Sequence, residues 1–328
     1  MWSGVKCINK LILVFACLLL FSGCGKKELD FSYDLNSSIS AYRFDTEASG
    51  STADSFASDL CVINDAMTPE ANTNVDMTHA GSAALFDTSG KHTMYAKNPY
   101  KTMYPASLTK VMTALLALKY GKLDDTVTAS QNVLITESGA QLCGFKPGDK
   151  LTLEQALHGL LMYSGNDAGV LIAEHISGDL DSFAALMNEE AKKLGATNTN
   201  FMNPHGLSDD QHYTTAYDLY LIFNEAMKYE KFKEIIHTNQ YTTIYHDVDG
   251  NEKDLKFNTT NQYLTGNVSA PDGVTIIGGK TGTTNAAGAC LILLSKNSAG
   301  EQFISVVLQA ENRDFLYEEM TDMLNEIN

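Results

Sequence analysis

The sequence predicts an α+β fold: an antiparallel sheet built from both chain ends, with a helical subdomain between them. Strand-like segments fall at residues 83–96 and again at 274–308, while helical periodicity fills the stretch between. The chain has 328 residues, 44% hydrophobic and 19% charged, and shows no internal repeat. That composition supports a globular domain with a sizeable core, and the distribution of elements places helices on one sheet.

The elements follow in order. Ala83 to Asp87 and Thr93 to Ala96, joined through Thr88-Ser89-Gly90, read as a hairpin. Pro105 then precedes a run rich in Ala and Leu, a helix to about Tyr120 stopped by Gly121. Lys122 to Ser130 reads as a short strand and loop. Thr152-Leu153-Glu154-Gln155 has the form of a capping box, and Leu153, Ala156, Leu157, Leu160 and Leu161 give that helix one apolar face. Asp167 to Ile176, Asp181 to Leu194 and Thr215 to Tyr229 are further helices. Tyr241 to Tyr245 and Leu255 to Phe257 form a second hairpin around Asp249-Gly250. Strands at Val274–Ile277, Ala289–Leu294 and Phe303–Leu308 and a helix over Phe315–Ile327 complete the chain.

The amino-terminal segment has a different logic. Lys6 and Lys10 precede eleven apolar residues, Leu11 to Phe21, followed by Ser22-Gly23-Cys24. Eleven residues at 1.5 Å each fall short of a bilayer core of ~30 Å, so residues 1–23 read as a signal peptide. The small residues before Cys24 are similar to a bacterial lipobox, with Phe21 where Leu is usual. Lipidation of Cys24 and ordinary cleavage are the two alternatives. Residues 24–59 read as a flexible acidic tether, and the folded domain as 60–328, with Leu60-Cys61-Val62-Ile63 as a first strand. The net charge is −17, or −19 once Lys6 and Lys10 leave, with only Arg43 and Arg313 as arginines. So acidic a surface argues against nucleic acid as partner. Cys61, Cys143 and Cys290 have no C-x-x-C spacing and read as small buried residues.

Three motifs carry chemistry. Ser107 and Lys110 lie three apart at a helix start and so share a face, where an amine of depressed pKa is able to activate a hydroxyl. Lys280-Thr281-Gly282, between two late strands, alternates its side chains so that Lys280 and Gly282 point one way and Thr281 the other. Ser164-Gly165-Asn166 occupies a polar junction between two apolar helices. Each alone also fits a bland reading: an exposed helix start, a polar strand end, a helix stop. S-x-x-K recurs at Ser3 and S-x-N at Ser130 and Ser295.

Together, in this order, they form the set of the class A β-lactamases and penicillin-binding proteins. With Asn203-Pro204-His205-Gly206-Leu207 and His212-Tyr213-Thr214-Thr215-Ala216, the chain over residues 60–325 resembles the low-molecular-mass serine D-Ala-D-Ala carboxypeptidases, the S11 peptidases. The resemblance implies the transpeptidase-like version of the predicted fold, and a substrate that is a peptidoglycan stem peptide ending in D-Ala-D-Ala, with β-lactams as inhibitors. It implies Ser107 as nucleophile, Lys110 as general base and Ser164 as proton relay to the leaving amine. Asn166 would hold Lys110 and the substrate amide. Burial and the second ammonium, Lys280, would depress the pKa of Lys110. Lys280, Thr281, Gly282 and Thr283 would bind substrate, the N–H groups of Ser107 and Thr283 forming an oxyanion hole. The carboxylate would meet Lys280 and two Thr hydroxyls rather than a guanidinium. No cofactor and no metal is implied.

Rival readings are a class A-like β-lactamase, a penicillin-binding sensor without turnover, and a zinc peptidase on His205, Asp209, Asp210 and His212. No E-x-x-L-N loop lies between Asn166 and Lys280, a sensor needs a membrane span, and the His/Asp pattern matches no common zinc spacing. The sequence given continues only about 46 residues past Gly282, so the small β-rich domain and anchoring helix of many members are not expected. The expected location is the outer face of the bacterial cytoplasmic membrane, held by a lipid on Cys24.

Overall fold

The computed structural model describes residues 57–63 and 75–327. The expected leader, the lipidation site Cys24 and most of the expected tether lie outside the described residues. Strand β1 (Ser82–Asp87) and strand β2 (His92–Lys97) form the expected amino-terminal hairpin. Two short strands, β3 (Thr126–Thr128) and β4 (Lys150–Thr152), follow, and then the hairpin β5 (Gln240–His246) and β6 (Glu252–Asn258). The chain closes with β7 (Thr275–Thr284), β8 (Gly288–Lys296) and β9 (Gln302–Ala310).

The main sheet is antiparallel in the order β2-β1-β9-β8-β7. Its two ends of the chain meet at β1 and β9, where Ser82 pairs with Leu308 and Asp87 with Phe303. Both faces are covered, so every side chain of β1 is buried. Ala84 and Phe86 face the helical subdomain. Ala83 and Leu85, on the opposite pleat, pack with Leu316, Met320 and Met323 of the terminal helix Arg313–Leu324. Asn312 starts that helix by accepting the Phe315 N–H.

At the centre of the other layer lies the helix Lys110–Tyr120, buried all round from Lys110 to Ala117 and ended at Gly121. A helix without a polar face belongs in a core, and each fully buried leucine there, such as Leu115, contributes about 1.5–3 kcal/mol. Around it pack Asn166–Ser177, Leu180–Lys193 and Ala216–Ala226. The capping box forms: Thr152 Oγ1 accepts the Gln155 N–H at 3.2 Å, and Gln155 Oε1 accepts the Thr152 N–H at 2.9 Å. All five residues of the expected apolar face after it are buried.

Four details depart from the sequence reading. The 240–258 hairpin and the two short strands form a second sheet, β3-β4-β5-β6, rather than joining the first. Central strands covered on both faces need apolar runs like Leu291–Leu294, whereas β5 alternates between exposed and half-buried positions, which suits a one-sided sheet. The helix expected to run to Tyr229 stops at Ala226, and a separate helix, Glu230–His237, buries Phe232, Ile235 and Ile236. The Lys280 motif lies inside β7 rather than between strands. Finally, residues 60–63 are no strand. They dock instead by hydrogen bonds: the Cys61 N–H donates to Tyr220 Oη at 2.8 Å, and Tyr217 Oη donates to the Cys61 carbonyl at 3.0 Å. Among the described residues no helix is long and apolar enough to cross a membrane.

Candidate active site

Ser107 sits on a 3-10 turn, Ala106–Thr109, that leads into the buried helix at Lys110. The one-turn spacing brings the two side chains together, with Lys110 Nζ 2.9 Å from Ser107 Oγ. The amine has two further partners: it donates to Asn166 Oδ1 at 2.7 Å and to the His205 carbonyl at 2.6 Å. Burial pushes the Lys110 pKa well below that of an ordinary lysine, and the neighbouring Lys280 pushes it the same way. A neutral amine has two N–H bonds and one lone pair. Asn166 and His205 take both N–H bonds, which leaves the lone pair facing the Ser107 hydroxyl.

Ser164 and Asn166 are brought in by an interrupted helix. The capped helix Leu153–His158 widens into a π-turn, Gly159–Tyr163, and ends at Ser164, whose backbone is left-handed at φ 67°. The N–H groups of Ser164 and Gly165 both donate to the Gly159 carbonyl, a wrap that closes the helix end. Such a φ on a serine costs on the order of 1–2 kcal/mol. It persists because Asn166 at once begins the next helix, whose Asp167 carboxylate accepts N–H bonds from Cys143, Gly144 and Phe145.

The third side is β7, the edge strand of the main sheet. Lys280 is 1% exposed and donates to Ser164 Oγ at 2.9 Å and to the Thr281 carbonyl at 2.7 Å. Burial lowers its pKa to about 7. Gly282 lets the strand approach the Ser107 turn, since a Cβ there would lie 2.9 Å from the Ser107 nitrogen. Thr281 Oγ1 is 2.6 Å from Thr260 Oγ1, and Thr283 Oγ1 donates to the Gly282 carbonyl.

These groups open onto a cavity of about 810 Å³, lined by Ser107, Ser164, Asn166, Thr281, Gly282 and Thr283 among others. Every site residue expected from the sequence, apart from Cys24, is therefore in one place. Arg313 also lines this cavity, against the expectation that no guanidinium would be at hand: Asn312 caps the terminal helix so that its first residue, Arg313, reaches the cleft. Three contributions escaped the sequence reading. The His205 carbonyl is a backbone group without a residue-type signal, Thr260 sits in an unmarked loop, and the loop-binding role of Asp167 depends on tertiary placement. His205 and His212 are not brought together as ligands, and among the described residues no cluster able to hold a metal ion occurs. Cys61, Cys143 and Cys290 are free thiols; Cys61 and Cys290 are buried and Cys143 partly so.

Residues 67–312 match the family model described as D-alanyl-D-alanine carboxypeptidase. The D-alanyl-D-alanine carboxypeptidase DacF of Bacillus subtilis is 36% identical over 252 residues, covering 75% of this chain and 61% of that protein. Its counterpart DacC of Escherichia coli is 32% identical over 249 residues, 73% of this chain and 59% of that protein. The chain thus spans about 60% of the length of these curated relatives. Among solved structures, the Streptomyces K15 DD-transpeptidase superposes with a TM-score of 0.71 at 27% identity, covering 77% of this chain and 98% of that one. The α+β fold is accordingly that of the DD-transpeptidases and penicillin-binding proteins.

Proposed function

The chain belongs to the D-alanyl-D-alanine carboxypeptidase family, and from that premise we propose that it is a serine enzyme releasing the terminal D-Ala of peptidoglycan stem peptides through an acyl-enzyme. One observation carries the reading: the buried Lys110 amine lies 2.9 Å from Ser107 Oγ while Asn166 Oδ1 and the His205 carbonyl hold it from its other sides. Lys110 takes the hydroxyl proton as Oγ attacks the carbonyl of the penultimate residue. Negative charge gathers on that carbonyl oxygen and is met by the N–H groups of Ser107 and Thr283. Ser164, with Lys280 behind it, passes a proton to the departing amine. The substrate carboxylate is met by Lys280, the Thr281 and Thr283 hydroxyls and Arg313. Water then releases the acyl group, with the same amine as base.

The test uses benzylpenicillin, whose opened ring stays on the serine. One added drug mass, located at Ser107 and lasting long enough for intact-mass measurement, is expected, together with D-alanine release from a D-Ala-D-Ala peptide. Rapid multiple-turnover hydrolysis of the drug would move the reading to a β-lactamase. Absence of both adduct and D-alanine would sink it altogether.

The proposal extends to location. Residues 1–23 are read as leader, 24–59 as tether and 60–328 as the catalytic domain, exported and lipid-anchored at Cys24 on the outer face of the cytoplasmic membrane. Cys24→Ala is expected to move the protein from the membrane to the soluble fraction, and unchanged sedimentation with membranes would refute the anchor.

A further inference from the structure

Behind the nucleophile lies a chain of buried polar groups that the mechanism above does not use. His212, 1% exposed, accepts the Met202 N–H at its Nδ1 at 3.0 Å. Its Nε2 lies 2.8 Å from Thr109 Oγ1, and that hydroxyl is 2.8 Å from the Ala106 carbonyl oxygen. Burial lowers the pKa of His212 to about 4, so the ring is neutral at neutral pH. With Nδ1 occupied as acceptor, Nε2 carries the hydrogen and donates to Thr109. Thr109 then has one direction left for its own hydrogen, toward Ala106. The polarity of the whole series is fixed.

Ala106 has φ 47°, an unfavourable backbone for alanine. Its carbonyl is held on one side by Thr109 and confined on the other by Gly206, where a Cβ would lie 1.8 Å from the oxygen. A trans peptide is planar, so the carbonyl of Ala106 and the N–H of Ser107 point in opposite directions. The carbonyl faces Thr109 and Gly206. The nitrogen faces Gly282 on β7, on the cavity side.

We propose that His212 and Thr109 are positioning residues that aim the Ser107 N–H into the oxyanion hole by fixing the Ala106–Ser107 peptide from behind. The proposal rests on the reading of Ser107 as the acylating serine. It assigns a role to the third residue of the Ser107–Lys110 motif, and to a histidine that touches neither substrate nor reacting atoms. A tilt of this peptide leaves the cavity and its binding groups in place while misdirecting one donor toward the developing charge.

Stopped-flow acylation of the full chain by a chromogenic cephalosporin separates the two effects, because it yields a non-covalent dissociation constant and an acylation rate constant. Thr109→Val removes the relay at nearly constant volume. The acylation rate constant is expected to fall on the order of 10–100-fold, with the dissociation constant within about twofold. Thr109→Ser, which keeps the hydroxyl, and His212→Gln, whose amide both accepts from Met202 and donates to Thr109, are expected to retain most of the rate. A purely structural role would lower the melting temperature of Thr109→Val without slowing acylation by its folded fraction, and that result would overturn the proposal. On the unmodified protein, imidazole nitrogen NMR is expected to show His212 neutral with hydrogen on Nε2, and hydrogen on Nδ1 would equally overturn it. A wild-type chain that is never acylated would instead count against the carboxypeptidase reading, whatever the variants do.

Discussion

Lys110→Ala is expected to lose acylation by penicillin and release of D-alanine by a factor on the order of 10²–10⁴, the range for removal of a positioned base. Ser107 would keep its place on the 3-10 turn, but its hydroxyl would lose the amine that lies 2.9 Å away in the native site. The change also leaves Asn166 Oδ1 and the His205 carbonyl without their donor, costing about 1–3 kcal/mol for each acceptor that water does not reach. Against that cost stands relief of a desolvated amine beside Lys280. Alanine is favourable in a helix, so a single cooperative melting transition is expected to persist. Turnover by the folded variant at near wild-type rate would show that another group activates Ser107.

Gly206→Ala is expected to have the largest effect on stability. The added Cβ would meet the Ala106 carbonyl carbon at 2.4 Å and its oxygen closer still, and backbone atoms held by Thr109 have nowhere to move. Gly206 also has φ 86°, a conformation that penalises alanine before any contact is counted. A loss of about 3 kcal/mol or more follows, or a melting temperature lower by roughly 6–12 °C for a domain of this size. Because Ala106 leads directly into Ser107, the folded remainder is expected to acylate slowly as well. Differential scanning calorimetry with penicillin labelling checks both, and a wild-type melting temperature would mean that the Asn203–Leu207 loop moves freely.

Much of this was legible in the sequence, for identifiable reasons. Ser107, Lys110, Ser164, Asn166 and Lys280 could be picked out because three motifs, each with a bland reading alone, occur together in the order of a known family; spacing by itself argues only that Ser107 and Lys110 share a face. The hairpin at β1 and β2, the capping box at Thr152 and the stop at Gly121 are local features set by neighbouring residues. What stayed hidden depends on contacts between distant segments. The partner of Lys110 on the 203–207 loop is a carbonyl, and every residue has one. Whether the 240–258 hairpin extends the main sheet or founds a second one turns on which strand it meets, and its contact with β4 at Lys150 and His246 joins segments far apart in the chain. Arg313 lines the cleft because the helix capped by Asn312 starts there, a tertiary placement that no local pattern around Arg313 signals.

The pairing of β1 with β9 sets a timetable for folding. Ser82 and its neighbours find their partners only when the strand from Gln302 to Ala310 has been made, and the cost of closing so long a loop is met before any contact repays it. While the chain emerges, β1 and β2 can form a hairpin, but an isolated hairpin is marginal in water. The three-layer packing around the main sheet therefore waits for the last strands. A product truncated before Gln302 would leave the edge of β1 unpaired and open to association with other chains.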